Sequence, residues 1–276
     1  MAKRYTKNEV VQRLRKEIER NKPLLMFGSG NGLTAKCAEI GGADLIGIYS
    51  TAQFRMQGLP SLLAWLPYCN ANEELLNLAR QILPVVEQTP LIAGVGAHDV
   101  SLDMDRFLDS LKDMGFSGVT NEPFAAMYGP YFLEELEKSG IGFARETALI
   151  QKASEKDMAT VAWCMSAEQV KEMAKAGADV IGAMIGVTSG GLTGTEKTED
   201  LDDSVDQINA MIEAGLSVNP DIIVLTHGGP LNNVSTAAYS IQHTHAHGYA
   251  SGSSGERIPT EKAVVEITKQ YKDIQI

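Results

Sequence analysis

PLLMFGSGNGL, residues 23–33, is the stretch on which the fold turns: an apolar run closing on a glycine-rich corner that leads into a helix. Two α/β architectures begin this way, the dinucleotide-binding open sheet and the (β/α)8 barrel. The dinucleotide loop requires G-x-G-x-x-G, and the third glycine position is filled by Leu33. The open sheet also wants a ribose-binding acid after its second strand, where the chain instead has Tyr49, Ser50 and Thr51. The corner is therefore read as a barrel corner.

Working outward, the same unit of apolar run, polar or glycine-rich corner and amphipathic helix recurs. The runs are 23–30, ADLIGIYST (43–51), TPLIAGVGAHD (89–99), FSGVTNEP (116–123), MATVAWC (158–164), ADVIGAMIG (178–186), DIIVLTHGG (221–229) and HGYASG (247–252). Eight runs of continuous rather than alternating apolarity predict parallel strands buried on both faces, an α/β (β/α)8 TIM barrel. Ser166 with Gln169 predicts a capping box, and Gly42, Gly115 and Gly177 stand where a left-handed helix end precedes a strand. GGADLIG (41–47) returns as AGADVIG (176–182), a repeat expected of a half-barrel duplication or of a shared helix-to-strand turn. A single domain over 1–276 is expected, with residues 1–22 as a short N-terminal helix that lids the barrel bottom or joins a neighbour.

Composition narrows the function. Of 276 residues, 44% are hydrophobic and 21% charged, an ordinary globular balance. Net charge is -11 and the basic residues of the first 22 positions are interleaved with acids, which argues against a nucleic-acid surface. No apolar run is long enough for a membrane span and the N-terminus has no signal-peptide character, so a cytoplasmic protein is expected. Cys37, Cys69 and Cys164 form no CxxC pattern, hence reduced thiols and no zinc ribbon.

In a barrel the chemistry lies at the carboxyl ends of the strands, and phosphate sites are often built after strands seven and eight. HGGP (227–230) and SGSSGER (251–257) bring Gly228, Gly229, Ser251, Ser253, Ser254 and Arg257 there as a phosphate or carboxylate cradle. Ser29, Gly190 and Gly191 are placed at corners of the same face. His227 is the acid/base candidate, with Asn121 and Glu122 after the fourth run as further catalytic candidates; Glu122 is a general base or a Mg2+ ligand. Residues 52–70 read as a long apolar loop that covers the site or packs on another subunit, so a homo-oligomer is expected, and Arg55 is its one charge and a candidate anion clamp. His98 with Asp99 forms a polarised pair or part of a metal site. His243, His245 and His247 resemble a chelate but fall at the amino-terminal face, and Cys164 has no adjacent histidine. No strand end carries lysine, which disfavours a Schiff-base lyase; Lys36 lies on a helix. No metal set is assigned.

GSGNGLTAKCAEIGGADLI, FRM, LPYCNAN, TSGG, VNPDIIVLTHGGP and SGSSGERIPTE, in that order along about residues 10–272, resemble the phosphoenolpyruvate hydrolase-like TIM-barrel family. The resemblance implies a barrel related to enzymes of phosphoenolpyruvate, pyruvate and similar oxyacids: a hydrolase or lyase binding a small phosphorylated or carboxylated metabolite, with Mg2+ as a possible cofactor. Two corners depart from the family. Ser50, Thr51, Ala52 and Gln53 stand where Asn-Ser-Gly-Arg is common, and Glu122 stands where an aromatic follows the asparagine. The D-x-x-K-x-x-x-x-S-G segment of the phosphonopyruvate and isocitrate-lyase relatives is absent. A metabolite-sensing barrel without catalysis is the alternative expectation.

Overall fold

The computed structural model describes residues 2–276. Eight strands, β1 (Leu24–Ser29), β2 (Leu45–Ile48), β3 (Leu91–Val95), β4 (Gly118–Asn121), β5 (Ala159–Cys164), β6 (Val180–Met184), β7 (Ile223–His227) and β8 (Gly248–Ser251), pair in parallel in chain order. The barrel closes where β1 meets β8, with Leu24 opposite Gly248 and Phe27 opposite Ser251. The eight apolar runs are the eight strands, each trimmed at its ends because the polar corner residues leave the sheet.

The helices are α1 (Lys7–Glu19), α2 (Gly32–Ile40), α3 (Ser50–Met56), α4 (Ala71–Ile82), α5 (Met104–Met114), α6 (Pro130–Lys138), α7 (Phe143–Glu155), α8 (Ala167–Lys175), α9 (Leu201–Leu216), α10 (Val234–His243) and α11 (Arg257–Lys272). Between β4 and β5 the chain forms two helices, α6 and α7, separated by left-handed Gly140. The segment 52–70 is not one long loop either: α3 starts directly after β2, and a short 3-10 turn spans Ser61–Trp65. Only half of the expected capping box forms at α8. Ser166 accepts from the Gln169 N–H, but Gln169 accepts from Met165 N–H instead of closing on Ser166.

Gly42 and Gly177 both take positive φ, +90° and +91°, the conformation L-residues avoid. Two residues beyond each glycine stands an aspartate in the same role. Asp44 Oδ2 accepts from the Leu25 N–H at 2.8 Å and Asp179 Oδ2 from the Thr160 N–H at 3.0 Å, so each aspartate caps the open amino end of the preceding strand. The repeated phrase encodes this turn.

Three apolar clusters divide the core. One fills the barrel interior with Leu24, Met26, Leu45, Ile92, Val161, Val180, Ile223 and Leu225. The other two pack each half of the sheet's outer face under its helices. α1 closes the amino-terminal mouth: Tyr5, Val10 and Leu14 join the interior cluster, so the N-terminal segment is the barrel's lower lid.

Candidate active site

Side chains that alternate inward along the strands reach the carboxyl end as Tyr49, Glu122, Trp163, Met184 and His227, and these line one recess on the barrel axis. The two large rings fit because glycines make room for them. A Cβ at Gly28, Gly47 or Gly94 would run into Tyr49, and one at Gly182 would lie 2.6 Å from Trp163 Cζ3. Trp163 stacks on Phe124 and sits 4.9 Å, centroid to centroid, from the His227 ring.

Three ionisable groups besides the Tyr49 phenol face the recess. Arg55, on α3, is buried and donates from Nε to Glu256 Oε2 at 2.6 Å and from Nη2 to the Gly28 carbonyl. Nη1 is left, and it stands at the recess wall: a Cβ on Gly252 would lie 3.4 Å from it and 3.1 Å from His227 Cε1. His227 Nδ1 is 2.7 Å from the Ala250 carbonyl, which can only accept, so Nδ1 carries the proton and Nε2 keeps its lone pair. Burial holds the imidazole neutral by pushing its pKa down to about 4. Glu122 is also buried and accepts from Thr51 Oγ1 at 2.7 Å. Burial raises its pKa to about 7, with the Thr51 hydroxyl and the charge of Arg55 opposing the rise.

The recess is small, about 50 Å³, and it opens into an outer chamber of about 510 Å³ under the β6–α9 loop. Thr188, Val187 and Ser253 border both, while Gly229, Lys197 and Arg257 border the chamber alone. Arg257 is buried and engaged, with Nη1 on Glu261 at 2.8 Å and Nη2 on the Gly190 carbonyl at 2.9 Å.

The sequence candidates thus separate. Glu122, Arg55, His227, Ser253, Gly229 and Arg257 come together around the recess and chamber. Gly228 and Gly190 shape the neighbouring turns with positive φ, as does Gly191, which lies against the Arg257 guanidinium. Ser251 and Ser254 face the other way. Ser254 Oγ pairs with Tyr249 OH at 2.8 Å and Ser251 Oγ at 3.4 Å, on the outer side of β8. Ser29 bonds Thr34 Oγ1 at 2.7 Å and the Asn31 carbonyl, below the α2 N-terminus. Asn121 bridges strands: its Nδ2 donates to Glu146 Oε2 at 2.6 Å and to the Trp163 carbonyl, and its Oδ1 accepts from Trp163 N–H. Arg55 is not a loop clamp closing from above but a fixed group at the recess wall.

The remaining candidates are held elsewhere. His98 lines a separate cleft, and Asp99 accepts from Ser101 and Asn70, which pulls its pKa to about 2. Cys164 is buried and its thiol pKa is pushed up by burial. His243 stacks on Tyr239 and His247 accepts from Val224 N–H; among the described residues no three His, Cys, Asp or Glu side chains gather as a metal set.

Sequence reading missed Tyr49 and Trp163, and it placed Thr51 and Glu256 at corners of the carboxyl face without giving either a role. Glu256 ties the site together, accepting from Gly30 N–H at 2.7 Å and Thr34 Oγ1 at 2.5 Å as well as from Arg55. The signal that could have found the rings was small residues in register with large ones: Gly28, Gly47, Gly94 and Gly182 lie on strands, where glycine has no turn to make. For Mg2+ the donors fit poorly. The recess offers one carboxylate, Glu122, held near neutrality beside a buried guanidinium, whereas a hard cation wants ionised oxygen ligands.

A family model described as phosphoenolpyruvate hydrolase-like matches residues 9–274. The ToMV susceptible protein tm-1 of Solanum lycopersicum is 38% identical over 268 residues, which is 97% of this chain and 36% of that protein. The chain thus spans about a third of the length of that relative. Among solved structures, phosphoenolpyruvate phosphomutase from Streptomyces platensis subsp. rosaceus superposes with a TM-score of 0.60 at 17% identity, covering 95% of this chain and 88% of that one. Phosphonopyruvate hydrolase in complex with oxalate and Mg2+ gives 0.57 at 16%, covering 95% and 84%. At these identities the likeness is one of fold. No described helix is long and apolar enough to cross a membrane.

Proposed function

The chain belongs to the phosphoenolpyruvate hydrolase-like family, and on that premise we propose that it is an enzyme that binds a small carboxylated or phosphorylated oxyacid at the carboxyl end of the barrel and hydrolyses or cleaves it. The observation that carries this is the meeting of buried Arg55, buried Glu122 and half-buried His227 around one recess, each with one polar atom outside its own hydrogen bonds. Arg55 Nη1 takes the anionic oxygen of the ligand. His227 Nε2, unprotonated at neutral pH, accepts from a ligand hydroxyl or a water. Glu122, poised near pH 7, gives and takes the proton, and Asn121 with Glu146 positions the corner that carries it. The head of the substrate lies in the recess and the remainder extends towards Ser253, Gly229 and Lys197.

An anion beside Glu122 favours the protonated carboxyl, so binding takes up a proton above pH 7. We expect the affinity for oxalate and for phosphoenolpyruvate, measured by calorimetry, to fall as pH rises from 7 to 8.5, approaching tenfold per unit, and the Glu122→Gln variant to lose that dependence. Arg55→Met should abolish binding. Turnover of phosphoenolpyruvate, phosphonopyruvate or oxaloacetate supports catalysis. Stabilisation by these acids with none of them turned over would favour a metabolite sensor instead, and no binding of any would overturn the reading.

A further inference from the structure

The acids around the recess and chamber are committed to the protein itself. Glu256 accepts from Arg55 Nε on Oε2 at 2.6 Å, and from the Gly30 N–H and Thr34 Oγ1 on Oε1 at 2.7 and 2.5 Å. Glu146, on α7, accepts from the Ala125 N–H on one oxygen and from Asn121 Nδ2 on the other, both at 2.6 Å. Glu261 holds Arg257 and the Leu192 N–H, and Glu199 at the chamber holds Gln207. Glu122 is what remains, and one of its oxygens already takes the Thr51 hydroxyl. A single carboxylate oxygen is thus left to face the recess.

A divalent cation asks for more than this. Mg2+ keeps an octahedral shell of six oxygens, so five besides Glu122 would have to come from ligand and water. The recess, at about 50 Å³, admits roughly three or four water-sized groups at about 10–15 Å³ each. Its wall also carries a positive charge already, the buried Arg55 guanidinium, which repels a second cation. That guanidinium is fixed in place: Nε is held by Glu256 and Nη2 by the Gly28 carbonyl. Nη1 therefore presents a preset donor, 3.4 Å from the point where a Cβ on Gly252 would stand, and that point is 3.9 Å from His227 Nε2. One small ligand can touch both. A charge fixed where ligand negative charge lies does what a metal does as a Lewis acid, with no reorganisation at the moment of reaction.

We propose that Arg55 takes the place of a divalent cation: its Nη1–H holds the anionic oxygen of the oxyacid, and the site binds its ligand without Mg2+ or another metal. This rests on the oxyacid-binding reading above. The test is calorimetric titration of the full chain with oxalate, once in EDTA and once in excess Mg2+, at matched free oxalate. The two affinities are expected to agree within about fivefold, because a cation coupled to the ligand would separate them by about 5–150-fold. Coupling is reciprocal, so Mn2+ mixed with protein and oxalate should keep the electron paramagnetic resonance spectrum of Mn2+ with oxalate alone. The double variant Arg55→Met, Glu256→Gln removes both charges of the pair and leaves neither buried alone. It should bind oxalate in neither solution, with circular dichroism as the check that it folds. Oxalate binding that Mg2+ strengthens by more than about fivefold, in the wild type or the double variant, overturns the inference and leaves the oxyacid-binding reading standing. Binding by the double variant in EDTA does the same. A wild type that takes no oxalate in either solution overturns both.

Discussion

Gly252 is the residue on which ligand space depends. A methyl group added to it would sit 3.1 Å from the His227 imidazole and 3.4 Å from Arg55 Nη1, in the gap a ligand oxygen would occupy. No backbone in that loop obstructs the methyl, so Gly252→Ala is expected to cost about 1 kcal/mol of stability by overpacking. Binding should suffer far more. A loss of at least tenfold in oxalate affinity with little change in melting temperature is the expected result; unchanged affinity would remove the gap from the site. Such a residue was only half legible. SGSSGER marked a corner rich in donors, but a run of amino acids does not say which way each points: Ser251 faces outward as the last residue of β8, and Ser254 faces outward from the turn beyond it, where strand alternation no longer holds.

At the scale of elements, the loop from β8 to α11 is tied to the rest of the barrel by one carboxylate. Glu256 holds the corner after β1, the first turn of α2 and Arg55 on α3. Glu256→Gln leaves the Arg55 guanidinium buried without its counter-charge, and a destabilisation of about 3–5 kcal/mol is expected in urea unfolding, with anion binding lost because Nη1 is no longer held. If stability falls by less than about 1 kcal/mol, the pair is not what fixes the loop. All eight strands could be read because each is a continuous apolar run bounded by turn residues, a local signal. The Arg55–Glu256 pair could not, since its partners are 201 residues apart and only barrel closure brings them together. The segment 52–70 failed for another reason: Ser50–Met56 has too few residues to display a helical period, so its apolar side chains read as loop.

Across the whole molecule, the buried ionisable groups set a pH at which the fold is most stable. Burial lifts Glu122 from 4.5 to about 7 and Glu146 from 4.5 to about 8, so the folded chain binds more protons than the unfolded one from pH 4.5 upward. Their contribution is full below 4.5 and is lost as pH rises through 7 and 8. His227 acts in the opposite sense: lowered from 6.5 to about 4, it destabilises the fold at acid pH and has no further effect once the unfolded imidazole is neutral, above about 6.5. Between pH 4.5 and 6.5 two carboxyls outweigh one imidazole, so the trends place maximum stability near pH 4.5; beyond 6.5 the decline is at most about 1.4 kcal/mol per pH unit for each carboxyl until it titrates in the fold. A chain of net charge -11 would also weaken through self-repulsion as pH rises, and salt separates the causes. Surface repulsion is screened within about 10 Å at 0.1 M salt, whereas the desolvation of two interior carboxyls is not. Urea unfolding from pH 6 to 8.5 is therefore expected to show the same decline at 0.1 and 0.5 M NaCl, and the double variant Glu122→Gln, Glu146→Gln, less stable at pH 6, should lose the slope. A decline that vanishes in salt would assign it to the surface and deny that these carboxyls carry raised pKa values, and with that the proton-transfer role proposed for Glu122.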